Sequence, residues 1–122
     1  MADFTDKTVD ARNTHAPQLF PAGTLMNEDH ESFIVSFKEM KFGSVQMNWQ
    51  GQDAEDAQVQ LYVSNKCEKE TFIPYGASED CTGNRQGKMW NIGVIGFLYA
   101  YLKYEKGSVT TGTLSACATG KK

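Results

Sequence analysis

The chain has 122 residues, of which 40% are hydrophobic and 22% charged, and a formal net charge of −3. That is one domain of ordinary size, able to bury a core without metal or disulfide staples. The charge divides unevenly: residues 1–31 carry six acids against two bases and residues 32–122 carry nine acids against ten bases. Neither part makes the basic patch that nucleic-acid binding requires.

Met1-Ala2-Asp3 opens a polar stretch with neither a basic n-region nor an apolar core, so no cleaved secretory signal is expected and synthesis in a cytoplasm follows. Residues 1–16 show little apolar periodicity. Pro17 and Pro21 bound an extended segment, His15 to Gly23, and oppose both a helix and a central strand. Residues 1–31 therefore read as an extended N-terminal arm that needs a neighbour to order it. From Ser32 the alternation is clear. Phe33, Val35 and Phe37 share one face, and Val45, Met47 and Trp49 oppose Gln46, Asn48 and Gln50, giving two half-buried strands. Gly51 to Asp56 is a polar turn. Val59, Leu61 and Val63 then form a third strand, expected to pair with the one before it through a short hairpin. Phe72 to Tyr75 reads as a short edge piece ending near Pro74, and Ser78 to Gly87 as the longest polar loop.

Residues 92–104 carry apolar side chains on both parities: Val94, Leu98, Ala100, Leu102 and Tyr104 on one, Ile95, Phe97, Tyr99 and Tyr101 on the other. Such a strand is central or covered on both sides. Leu114, Ala116 and Ala118 alternate with Thr111, Thr113, Ser115 and Cys117, the pattern of a strand wet on one face. Lys106-Gly107-Ser108 would join the two as a long hairpin, with Gly107 supplying the permissive backbone. The stretch from Ile92 to Leu102 falls short of the roughly 20 residues of a membrane helix, so no membrane span is expected. With no helical period anywhere, the fold class is all-β. An antiparallel β-sandwich or jelly roll over residues 32–122 follows the arm, and an OB-type barrel is the alternative.

Chemistry-bearing residues are sparse. Cys67, Cys81 and Cys117 lack zinc-type spacing and read as thiols, although Cys67 and Cys81 flank one loop and could close it under oxidising conditions. His15 and His30 accompany no nucleophile elbow and no zinc helix. No catalytic residue, metal or cofactor is therefore assigned, and the chain reads as a non-enzyme. Asp53, Glu55 and Asp56, and separately Glu79, Asp80 and Asn84, offer oxygen ligands without the spacing of a calcium loop; they read as solvated turns. Trp49 shares a face with Val45 and Met47 and belongs to the core. Trp90 follows a polar loop and is expected to be partly exposed, and Tyr62, on the parity of Gln58 and Gln60, to be the most exposed aromatic. Tyr62, Tyr75 and Trp90 are the candidate surface-recognition residues.

Four pieces occur in order: SVQMNWQGQ (44–52), VQLYVSNKC (59–67), MWNIGVIGFLYAYLKYEKGSVTTGTL (89–114) and a terminal lysine pair. This layout resembles small β-sandwich virion structural proteins of tailed bacteriophages, over residues 32–122. It departs from their pattern at Ala100-Tyr101-Leu102-Lys103, where an arginine is common in that group. The resemblance implies a capsid decoration or cement protein made in the host cytoplasm and located in the virion. Its expected partners are the major coat protein or other virion proteins, with a homotrimer as one expected assembly and neither nucleic acid nor membrane as a partner. The arm would dock on the coat lattice through Phe4, Val9, Leu19, Phe20, Leu25 and Met26. The alternative function is a glycan-binding or fibre/tail module that recognises a host cell surface through Trp90, Tyr75 and the loop 78–87.

Overall fold

The computed structural model describes residues 8–10 (backbone only), 18–82, 87–93 and 95–121. Among the described residues eleven strands run β1 (Thr8–Asp10), β2 (Gln18–Leu25), β3 (His30–Glu31), β4 (Ile34–Ser36), β5 (Phe42–Gln50), β6 (Gln58–Ser64), β7 (Ile73–Pro74), β8 (Glu79–Asp80), β9 (Gly87–Ile92), β10 (Tyr99–Glu105) and β11 (Thr113–Lys121). They form two packed sheets. Sheet A has the order β1-β4-β10-β6-β7, with β3 also on β10 and β8 also on β6; sheet B has the order β2-β11-β5-β9. Every pairing is antiparallel except the parallel β1–β4 pair. The expected all-β sandwich is the observed architecture. Among the described residues no helix is long and apolar enough to cross a membrane.

The inward faces are those that the alternation predicts. Val45, Met47 and Trp49 of β5 and Leu114, Ala116 and Ala118 of β11 meet Val59, Leu61 and Val63 of β6 and Ala100, Leu102 and Tyr104 of β10 in one core. Strand β10 is central in sheet A, as its two apolar faces require. Its outward Tyr101 is 5% exposed because Phe72 packs edge-on against it at 4.9 Å between centroids and Tyr62 stacks on it at 5.3 Å. Phe72 reaches that position from a 3-10 turn, Lys69–Thr71, tied down by a Ser64–Thr71 hydroxyl pair at 2.7 Å.

Three sequence expectations are corrected here. First, β10 and β11 are not a hairpin: β10 pairs with β6, β4 and β3, whereas β11 pairs with β5 and β2. The connection around Gly107 crosses from one sheet to the other. Second, β6 does not pair with β5 but with β10, so the 51–57 loop is also a crossing. Third, the segment after residue 17 is no arm outside the sandwich. Strand β2 lies on β11, and Leu19, Phe20 and Met26 are wholly buried in the core. Pro21 is accommodated because β2 is an edge strand, whose far side needs no donor. The register shifts on β11 opposite β2 let Leu19 and Phe20, neighbours in sequence, both turn inward.

The outer face of sheet B differs in chemistry from everything else. Along β5 it presents Ser44, Gln46, Asn48 and Gln50, and along β11 Thr113, Ser115, Cys117 and Thr119, each paired across the ladder. The Ser44 and Thr119 hydroxyls bond at 2.8 Å and the Gln46 amide donates to Asn48 at 2.9 Å. Phe42, Met89 and Leu25, each more than 40% exposed, stand on the same face through their pairings with Lys121, Gln46 and Thr113.

Candidate functional site

Strand directions set the two ends of the sandwich apart. The pairings of Gln50 with Thr113, of Leu25 with Thr113, of Gln58 with Glu105 and Asp80, and of His30 with Tyr104 place loops 26–29, 51–57, 80–82 and 106–112 at one end. Eight carboxylates gather there, Glu28, Asp29, Asp53, Glu55, Asp56, Glu79, Asp80 and Glu105, against Lys88 and Lys106 among the described residues. The opposite end, with loops 37–41 and 65–72 and the end of β11, carries Lys38, Lys41, Lys66, Lys69 and Lys121 against Glu39, Glu68 and Glu70. The molecule is thus polarised along its strands.

The acidic end is also stiffened. Asp56 accepts from the Ser108 backbone N–H at 3.0 Å and from the Ser108 hydroxyl at 2.9 Å. Asp53 accepts from the Thr110 N–H at 2.8 Å, from the Thr110 hydroxyl and from the Thr111 N–H at 3.3 Å. The Thr111 hydroxyl donates to Gly51 O at 2.8 Å, and the Lys106 N–H to Asp29 Oδ1 at 2.9 Å. Two crossing loops that are distant in sequence are therefore tied together by local polar bonds. Gly107 and Gly112 permit the close approach. Gly107 has φ +57 and its Cβ would lie 2.8 Å from Asp56 O; Gly112 has φ +113 and its Cβ would lie 2.9 Å from Gln50 O and Gln52 N.

Below the loops sits an apolar and aromatic floor. Val109 and Ala57 are fully buried. The Tyr104 hydroxyl donates to Met26 O at 2.9 Å, and His30 Nε2 lies 2.5 Å from Leu25 O, with its N–H donating in the tautomer that this requires. His30 stacks on Tyr104, with ring centroids 6.2 Å apart. Burial pushes the Tyr104 phenol well above its ordinary value.

The side-chain bond from Thr110, with its backbone bond, holds the Asp53 carboxyl below the ordinary 3.8; Asp56 is lowered chiefly by the Ser108 backbone and hydroxyl bonds. A carboxylate with a depressed folded value adds stability that is fully present above the ordinary value and lost as pH falls through the lowered one. Acidification below 3.8 is accordingly expected to release this loop before the core. In an NMR titration the Ser108, Thr110 and Thr111 amide protons should move together while those of β5 and β6 stay fixed. Loop amides that ignore pH would remove the carboxylates as their acceptors.

The residues anticipated from sequence fall in different places. Leu19, Phe20 and Met26 are core, and Leu25 alone of the anticipated arm anchors that are described to the side chain is exposed, at 54%. Val9 is described in backbone only, paired in parallel with Val35, and Phe4 lies outside the described residues. Trp90 is buried, 9% exposed, because it faces inward opposite Val45, with the Lys88 ammonium 5.9 Å from its ring centroid. Tyr62 is half-buried against Tyr101. Tyr75 is exposed, packs on Phe97 at 5.5 Å, and helps to line a groove of about 380 Å3 with Ile73 and Val63 at the basic end. Trp90 and Tyr75 are thus at opposite environments, one in the core and one at the surface. Cys81 is buried and Cys67 exposed, and both are thiols. Asp53 and Asp56 were legible as turn residues; their partners Ser108 and Thr110 were not, since no local pattern links residues more than 50 positions apart.

Comparison with protein families and with curated proteins finds no match. Among solved structures the chain is similar to Aeromonas hydrophila PliG, a periplasmic lysozyme inhibitor of g-type lysozyme, at 9% identity and TM-score 0.49, covering 98% of both chains. The expected virion role, with its coat-protein partner, virion location and decoration or host-recognition function, is withdrawn: the neighbour named here is a periplasmic lysozyme inhibitor, and at this similarity it assigns the chain no role of its own.

Proposed function

We propose that this chain is a non-catalytic protein-binding module whose acidic loop end docks on a basic face of another protein. The supporting observation is the concentration of carboxylates on loops already cross-bonded through Asp53 and Asp56. Loops held in one geometry before association lose less conformational entropy on binding. A single-sign patch accelerates encounter with an oppositely charged surface and rejects like-charged ones. The hydroxyls of Ser108, Thr110 and Thr111 make intramolecular bonds that shape the loop.

The test is calorimetric titration against a panel of basic and acidic proteins, a g-type lysozyme among the basic ones, at low salt. Binding confined to basic proteins is expected. The double change Glu55→Lys and Glu105→Lys, which leaves the Asp53 and Asp56 bonds intact, should weaken it at least about tenfold. Undiminished affinity in that variant would refute the site.

A further inference from the structure

We propose that the outer face of sheet B pairs with the same face of a second copy of this chain, the two lying antiparallel about a two-fold axis. The face has no ionised group between the Phe42–Lys121 row at one end and the Gln50–Thr113 row at the other, among the described residues, in a chain that is 22% charged. Two copies with net charge −3 repel, and this face is where they can meet without placing carboxylates against each other. Its amides and hydroxyls both donate and accept, so the surface can complement itself, as an isologous contact demands. Among the described residues, three of the six large apolar side chains that are exposed, Leu25, Phe42 and Met89, stand on it.

The extent is adequate for a weak dimer. Strands of eight, nine, nine and six residues, at about 3.3 Å per residue and about 4.8 Å apart, span roughly 500 Å2 in projection, below the about 800 Å2 per partner of a standard interface and in the range of weak ones. A dissociation constant on the order of micromolar is expected.

The polarity of the molecule fixes the direction. With the copies parallel, both acidic ends would lie together; with them antiparallel, each acidic end lies beside the other copy's lysine-rich end. An axis across the strands then runs along the row in which Cys117 pairs with Gln46 and Gln46 with Met89. Gln46 is the middle residue of β5 and Cys117 of β11. Each residue of that row faces its own copy across stacked sheets about 10 Å apart. The dimer would carry its two acidic loop ends at opposite extremes, a bivalent arrangement independent of what those ends bind.

Sedimentation equilibrium over a micromolar to millimolar range should show a mass rising to twice the 13.6 kDa of the chain. Gln46→Arg sets two cations against each other on the axis and should return the mass to that of one chain, with circular dichroism confirming that it folds; Lys103→Gln, on the outer face of sheet A, should not. In a Cys67→Ser background, a short bis-maleimide should link two copies through Cys117 at dimeric concentrations. A chain that stays monomeric, a trimer, a dimer indifferent to Gln46→Arg, or the absence of the Cys117 cross-link would each overturn the proposal. So would a monomer in which Gln46→Arg weakens capture of a basic protein, since the face would then belong to that partner.

Discussion

A chain lacking residues 1–26 is expected to lose cooperative folding altogether. The deletion removes β2, which pairs with β11 over its length, together with three wholly buried side chains, Leu19, Phe20 and Met26. It also removes Met26 O, the acceptor of the buried Tyr104 hydroxyl, and an unsatisfied buried polar group carries its own penalty of about 1–3 kcal/mol. Phe20→Ala alone should cost about 3–5 kcal/mol, a large share of a stability expected at about 5–15 kcal/mol. Chemical denaturation monitored by tryptophan fluorescence provides the check, since Trp49 and Trp90 are both buried. A truncated chain with an undiminished cooperative transition would restore the view of this region as a detachable arm.

Gly112→Ala is expected to destabilise by about 3 kcal/mol or more, combining a left-handed backbone that side chains rarely adopt, about 1–3 kcal/mol, with overpacking of similar size. The clash is with backbone atoms, Gln50 O and Gln52 N, which cannot rotate away as a flexible side chain would, and with Met26 Sδ. Gly23→Ala is the matched control: φ is +85 but nothing lies within 4 Å of the added carbon, so only the backbone strain is introduced. The difference between the two melting curves isolates the close packing of the 106–112 loop on the end of β5. Equal losses would show that the loop yields to accommodate the methyl group, and that it is not held as tightly as its bonds to Asp53 and Asp56 imply.

Which side chains face inward was legible wherever a strand alternates strictly. Val45, Met47 and Trp49, then Val59, Leu61 and Val63, then Leu114, Ala116 and Ala118 all point where their parity says. Pairing was not legible, because a period of two identifies a face and says nothing about which strand lies alongside. The Gly107 turn has hairpin composition, yet Asp56 and Asp53 draw it towards a loop some 50 residues earlier, and β10 and β11 part into different sheets. Strand β2 was hidden by Pro17 and Pro21 and by a register shift that breaks its alternation. Trp90 was misread because a polar loop precedes it, whereas its parity with Ile92 assigns it to the core.

The candidate site was half legible. The acids of the 51–57 loop are visible in the sequence, but their gathering with Glu28, Asp29, Asp80 and Glu105 depends on strand directions that only the sheet order supplies. An even net balance over residues 32–122 concealed a separation of charge along the strands. For the same reason the outer face of sheet B passed as an ordinary wet surface, although β5 and β11, side by side, make it continuous and uncharged.

The measurement that tests the central claim most directly is the affinity of the intact protein for its tightest basic partner as a function of salt. If the acidic end carries the contact, the affinity falls steadily as ionic strength rises and the Debye length shrinks from about 30 Å at 0.01 M to about 8 Å at 0.15 M, mostly through a slower association rate. In the Glu55→Lys, Glu105→Lys variant the curve flattens. An affinity that is insensitive to salt, or a variant whose salt dependence matches that of the native chain, would contradict recognition by the acidic loop end.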